Sequence, residues 1–401
     1  MVAYDFHVDK LTLVVGDGLI KAGSASRGNS TEGGSSIDVI GASGLPAAGP
    51  GQPAPDPGEP GPGPAGPDWE RPGAYEVAAG IFRIPLPLPT DGLRAVNVYA
   101  VVSEHGLALI DGGWAVAEAE TQLRAALDLI GFGLEHITDF FVTHAHRDHY
   151  TLAAQLRRSW NTRISIGAGE RASMHQLAVR TEYADPSSVP LLVRAGAGGL
   201  ADALRAAETP FDRSVWSLPD AWLEDGEILR LDDRRTLTVL HTPGHTRGHI
   251  VFVDGEHGVV FAGDHVLPHI TPSVGYEEVP PPSPLAGYLT SLALLRQLPD
   301  ARLLPAHGPV APSVHQRVDE LLDHHARRLE LTVRPLARNA LTGYEVARAL
   351  RWTRRERAFD ELDPFNQALA TLETVAHLEV LAERGRVTRL DDASGVRRYR
   401  A

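Results

Sequence analysis

His144, His146, Asp148 and His149 form the run H-x-H-x-D-H, a density of imidazole and carboxylate that a solvated loop does not require. Neutral imidazole and carboxylate suit a divalent cation of the zinc type, and a chain without cysteine can offer only nitrogen and oxygen to one. The apolar run "ITDFFV" leads directly into the cluster, and at an extended strand end residues two apart project to the same side. His144 and His146 can therefore grip one ion together, while Asp148 and His149 sit where the chain turns and can reach a second. Further ligands must come from elsewhere, and His245 in "HTPGHTRGH", Asp264 in "FAGDHV" and His307 in "PAHG" are the obvious supply. A divalent cation lowers the pKa of bound water from 15.7 to about 7, which gives hydroxide at neutral pH, and a second cation polarises the scissile carbonyl or phosphoryl oxygen. Asp148 can also accept or orient a proton of that water, which makes it the candidate catalytic residue.

These side chains stand at the ends of apolar runs of strand length. "IFRIPLPL", "VNVYAVV" and "LALIDGG" read as successive strands, and residues 116–130 carry apolar positions at helical spacing. Later, "LTVLHTPGH", "HIVFVDG", "GVVFAGDHV" and "ARLLPAHG" each run from apolar residues into polar ones. In an α/β protein sites collect where strands end, so these endings point to one shared site. Residues 170–219 hold helical patches such as "ERASMHQLAVRTEY" and read as a helical insertion forming a lid. His105, His136, His175, His257, His315, His324, His325 and His377 are isolated and read as surface or core histidines. His249, four residues beyond His245, is intermediate between the clustered and the isolated histidines. His265, His269 and Tyr276 stand open between a substrate-facing and a supporting role.

The series resembles the five sequence motifs of the metallo-β-lactamase superfamily: Asp111 in "LIDGG", His144 to His149, His245, Asp264 and His307, in that order. The resemblance implies an α/β protein built as an αββα sandwich. It places His144, His146 and His245 on one metal and Asp148, His149 and His307 on the other, with Asp264 bridging and Asp111 as a structural acid behind the ligand loop. The implied cofactor is two Zn2+, with iron or manganese left open.

Composition frames the rest. With 401 residues, 43% hydrophobic and 22% charged, two globular units are expected. A net charge of -13 argues against wholesale wrapping around nucleic acid or an anionic membrane. No apolar run is long enough to span a bilayer, and Asp5, Asp9, Lys10 and Asp17 spoil a signal peptide, so the cytoplasm is the expected address. Residues 1–73 read as a mostly disordered tail rich in Gly and Pro, with Leu11 to Val15 loose within it. Residues 74–312 then form the catalytic domain and 313–401 a further module.

In that module a helix over 314–340, a short helix in "LTGYEVARALR", a longer one stopped at Gly385, and a hairpin of "RVTRL" and "VRRYRA" give the order of a winged helix. It is similar to the C-terminal extension of the β-lactamase-like protein 2 group, chiefly through "ETVAHLEVLAERGRV". Residues 326–401 hold 15 Arg against 11 acids. The acids are interleaved and no aromatic series for base stacking is present. Packing on the catalytic domain or a homodimer contact is therefore favoured over nucleic acid. The expected activity is dinuclear hydrolysis of a small thioester or ester. The runner-up is an endoribonuclease acting on single-stranded RNA, followed by a lactonase, a mononuclear iron dioxygenase or a non-catalytic metal-binding module.

Overall fold

The computed structural model describes residues 68–88, 93–182, 184–207 and 211–401. Most of the Gly/Pro-rich stretch, and Leu11 to Val15, lie outside them. Near the start of the described residues, the Trp69 carbonyl accepts a hydrogen bond from Arg83 at 2.7 Å and Glu70 pairs with Arg94.

Strands rich in Val, Ile, Leu and Phe build two sheets. The first joins β1 (Tyr75–Ala78), β2 (Ile81–Pro87), β3 (Ala95–Ser103), β4 (Gly106–Ile110), β5 (Ile137–Val142), β6 (Arg163–Gly167) and β7 (Ala221–Leu223) in that order. It is antiparallel through β4 and parallel beyond. β1 covers only Ile81 to Arg83 of β2. Pro85 and Pro87, which have no N–H to give, fall on the uncovered part. The second sheet joins β8 (Ile228–Arg230), β9 (Thr236–His241), β10 (Ile250–Asp254), β11 (Val259–Gly263) and β12 (Arg302–Pro305) in the order β12-β11-β10-β9-β8.

The sheets face each other across a core that includes Ile81, Tyr99, Val101, Phe141, Val239, Phe252 and Phe261. Helices α1 (Ala117–Leu129), α2 (Arg147–Arg157) and α3 (Arg171–Val179) cover the outer face of the first sheet, through Leu123, Leu127, Leu152, Met174 and Leu177. The outer face of the second packs on α6 (Pro284–Gln297), completing the αββα sandwich. α4 (Ser188–Arg194) and α5 (Gly198–Ala207) lie in the same stretch of sequence as α3.

The C-terminal region contributes α7 (Val314–Val333), α8 (Gly343–Ala349) and α9 (Pro364–Glu383). Two short strands, β13 (Leu341–Thr342) and β14 (Arg351–Trp352), precede β15 (Arg357–Ala358), and β16 (Thr388–Asp391) and β17 (Arg397–Arg400) form the hairpin. α7 stops at Val333, short of the expected 340, because Pro335 shifts the chain into a 3-10 turn at Arg334–Ala337. α9 is capped by Asp363, whose carboxylate accepts from the Asn366 N–H at 3.0 Å, and is followed by Gly385 with φ of 68°. It is buried almost all round, and its Ala368, Leu372, Leu378 and Leu381 share one core with Leu192, Leu200, Leu285 and Val318 of α4, α5, α6 and α7. No described helix is long and apolar enough to cross a membrane.

Candidate metal centre

β4 ends at Ile110, and Asp111 follows with φ of 62°, a left-handed conformation that a short acid tolerates better than a branched residue. The turn aims its carboxylate at the end of β5. Oδ1 accepts the Thr143 N–H at 2.8 Å and the Thr143 hydroxyl at 3.0 Å, and Oδ2 accepts from His149 Nδ1 at 2.9 Å. His144 and His146 occupy the link from β5 to α2, and Asp148 and His149 lie in the first turn of α2. His245 stands between β9 and β10, Asp264 directly after β11, and His307 two residues beyond β12. Gly263 is needed beside Asp264: with φ of 49°, a Cβ there would come within 2.7 Å of His249 Nε2 and Thr143 Oγ1.

The structure brings all seven side chains together as two adjoining groups. In the first, His144 Nε2 lies 3.0 Å from His146 Nδ1 and 3.2 Å from His245 Nε2, which is itself 3.1 Å from His146 Nδ1. Asp264 Oδ2 is 3.4 Å from His245 Nε2. In the second, Asp148 Oδ2 lies 3.4 Å from His307 Nε2 and 3.7 Å from His149 Nε2. Asp264 Oδ1 reaches both rings, at 3.4 Å and 3.7 Å respectively. The two oxygens of Asp264 thus face different groups.

Hydrogen bonds behind the rings decide what the rings present. The Thr143 hydroxyl, already donating to Asp111, accepts from His144 Nδ1, and the Ser273 carbonyl accepts from His245 Nδ1 at 2.8 Å. The Ala95 carbonyl accepts from His307 Nδ1 at 2.8 Å. Each of these rings, and His149, therefore turns Nε2 inward. In the first group two bare lone pairs meet His146, whose single proton can satisfy only one of them. His149 Nε2, His307 Nε2 and Asp264 Oδ1 are buried with no hydrogen-bond partner. Buried polar atoms left in this state are costly, and a cation in each group would satisfy them. The donor set fits divalent cations of the zinc type.

The electrostatics differ between the groups. Burial, then neighbouring imidazoles, hold His144 well below its ordinary pKa and lower His146 to about 3. Burial likewise brings His245 to about 4. For His149, burial acts to lower the pKa, but Asp111, Asp148 and Asp264 together raise it to about 10. His307 rises to about 9 against the same penalty, through Asp264 and Asp148. Burial opposes charge on Asp148, yet His149, His307 and His146 hold it well below the ordinary carboxylate range.

A family model described as the metallo-beta-lactamase superfamily matches residues 91–307, more than half of the chain. The chain belongs to the metallo-beta-lactamase superfamily. A second model, described as the metallo-beta-lactamase-like C-terminal domain, matches residues 335–401. A metallo-beta-lactamase family protein from Thermus thermophilus superposes with a TM-score of 0.66 at 29% identity, covering 81% of this chain and 99% of that one. A beta-lactamase domain protein from Burkholderia ambifaria gives a TM-score of 0.66 at 26% identity, covering 82% and 94%. Among curated proteins, the atrochrysone carboxyl ACP thioesterase of Aspergillus fumigatus is 25% identical over 251 residues, 62% of this chain and 46% of that protein. The beta-lactamase-like protein 2 homolog of Caenorhabditis elegans is 34% identical over 107 residues, 27% and 33% of the two chains. The chain spans less than half the length of the first curated relatives it matches.

Within this superfamily framework, His249 stands behind the centre: its Nε2 accepts the Asp264 N–H at 3.1 Å and its Nδ1 faces the Thr242 hydroxyl at 2.9 Å. His265 is wholly buried beside the rings of His249 and Tyr288. His269 is exposed, and Tyr276 is half-buried with its ring edge-on to Phe365 at 5.6 Å. Sequence reading missed Thr143, which couples Asp111 to His144, and the carbonyls of Ala95 and Ser273. Thr143 was detectable as a hydroxyl beside a ligand candidate. The carbonyls were not, because a backbone acceptor leaves no trace in residue type.

Proposed function

We propose that this protein is a dinuclear metal-dependent hydrolase of a small thioester or ester. His144, His146 and His245 would hold one divalent cation, Asp148, His149 and His307 the other, and Asp264 would bridge them, with zinc as the expected metal. The observation that carries this reading is the convergence of buried imidazole and carboxylate atoms that have no other partner. Such cations supply an acidified water, its pKa lowered to about 7, and stabilise charge developing on the scissile oxygen.

The chain's own residues do the rest. Asp111 holds the proton at His149 Nδ1, and the Ser273 and Ala95 carbonyls hold those at His245 and His307 Nδ1. Each ring is thereby fixed in one tautomer and one orientation. Asp148, whose side chain is 15% exposed, is the one acid of the second group open enough to pass a proton to solvent; we assign it the acid-base role. The thioester reading draws on the relative named as an ACP thioesterase. Nucleic acid is disfavoured by the pairing of C-terminal arginines with acids: Arg386 with Glu330, Arg389 with Glu379, Arg397 with Glu379 and Asp391, and Arg398 with Glu345. A cytoplasmic address and the winged-helix reading of residues 313–401 belong to the same proposal.

The test is one preparation assayed against a panel of acyl-thioesters and against single-stranded RNA. Thioester turnover that disappears, together with bound metal, in His146→Ala and Asp264→Ala is the expected result. RNA cleavage without thioester turnover would replace the substrate assignment, and full activity in a metal-free variant would end the reading altogether. Deleting residues 326–401 is a poor probe, because α9 lies in the core shared with α4, α5 and α6.

A further inference from the structure

Glu170 ends the short turn at Ala168–Glu170 between β6 and α3, and it is wholly buried. The Thr246 hydroxyl donates to its Oε1. Burial pushes the Glu170 carboxyl up to about 7, against the Thr246 hydroxyl and the nearby peptide N–H groups of Ala145 and Gly248, which favour its charge, and Oε2 is buried with no hydrogen-bond partner. The three groups come from two loops. Ala145 lies between His144 and His146, whereas Thr246 and Gly248 follow His245. Backbone packing is correspondingly close: a Cβ on Gly248 would fall 2.0 Å from the Glu170 nitrogen, and one on Gly169 would fall 2.7 Å from the Gly248 Cα.

The three histidines of the first group therefore arrive on loops about a hundred residues apart in the chain, and their mutual spacing depends on what fixes one loop against the other. One tie is the Ile250 N–H donating to the Thr143 carbonyl at 2.9 Å. Glu170 is a second. Keeping an acid wholly buried is expensive, which an alanine or leucine filling the same turn would avoid. We propose that Glu170 is a positioning residue of the three-histidine group: its carboxyl locks the His144–His146 loop to the His245 loop and so sets the separation of the three ligand nitrogens. This rests on the two-cation reading of the centre.

The experiment titrates metal-stripped protein with Co2+ against a chromophoric chelator and records the visible absorption of the bound ion. Glu170→Ala should weaken binding at the three-histidine group by about 10- to 100-fold and shift its absorption band, the scale seen when groups behind metal ligands are removed. Glu170→Gln, which keeps the shape and an acceptor for Thr246, should recover most of that loss. Thr246→Val, which takes away the donor and leaves the acid, should weaken the same group by a smaller factor and serves if the Glu170 variants do not fold. Binding at the Asp148, His149 and His307 group should be unchanged throughout. Wild-type affinity and spectrum in folded variants, or equal weakening of both groups, would overturn the proposal. Fewer than two Co2+ bound by the wild-type protein would instead overturn the two-cation reading, and the inference with it.

Discussion

The two halves of the centre use the same side chains to opposite electrostatic effect. His146 and His245 are held near 3 and 4 because burial and neighbouring rings penalise charge, whereas His149 and His307 are raised to about 10 and 9 by three carboxylates. The three histidines of the first half are neutral at any physiological pH. The second is a proton store that a cation must displace. The difference lies in where the acids stand: Asp111 and Asp148 both face His149, whereas Asp264 alone contributes an oxygen to the three-histidine group.

The largest expected consequence is in the pH dependence of cation binding. Occupying the second half releases one proton each from His149 and His307, so its affinity should rise by about a hundredfold per pH unit up to about pH 9, while the first half stays flat across the neutral range. Calorimetric titration in two buffers of different ionisation enthalpy separates these cases. Equal slopes for both halves would erase the distinction.

Next in size is Asp111→Asn, which removes a charge from His149 and an acceptor from Thr143. Affinity at the second half should fall by about 10- to 100-fold with a shallower pH slope. Competition against a chelator at fixed pH measures it, and an unchanged slope would show that Asp111 does not set the proton store.

A smaller effect concerns the cation-free protein. Folded His149 and His307 bind protons more tightly than the unfolded chain, whose histidines titrate near 6.5. The stability they add is therefore fully present below about pH 6.5 and is lost as pH rises through 9 to 10. The thermal midpoint of chelated protein should fall over that range and that of cation-loaded protein should hold. A flat profile for the chelated protein would contradict the raised values.

The smallest effect tests the loop beyond Asp264. Arg317 of α7 donates to the carbonyls of Leu267 at 2.6 Å and Ile270 at 2.9 Å. Arg317→Ala should cost about 1–3 kcal/mol in urea unfolding with cation stoichiometry intact.

How much of this was legible in the sequence follows from chemistry. Histidines and acids at strand ends could be read because residue type and position carry the information, and the strands β2 to β5 and β9 to β12 follow from their apolar runs. The strands β1, β6, β7 and β8 were not read, since their three to five residues, unlike the equally short β4, β10, β11 and β12, do not run into a polar cluster that marks a strand end. Glu170 and Thr246 were invisible as a pair because their contact joins residues 76 apart. α9 read as a helix, but its burial on nearly every face was not foreseen, because its partners α4, α5 and α6 come from earlier in the chain. The lone histidines His325 and His377 lie buried within that packing, with His325 Nδ1 3.2 Å from His377 Nε2.

Anomalous diffraction from crystals grown with Zn2+, collected on both sides of the zinc absorption edge, tests the central claim most directly. Two peaks about 3.5–4 Å apart are expected, one among His144, His146 and His245 and one among Asp148, His149 and His307, with Asp264 between them. A single peak, or none within reach of these side chains, would contradict it.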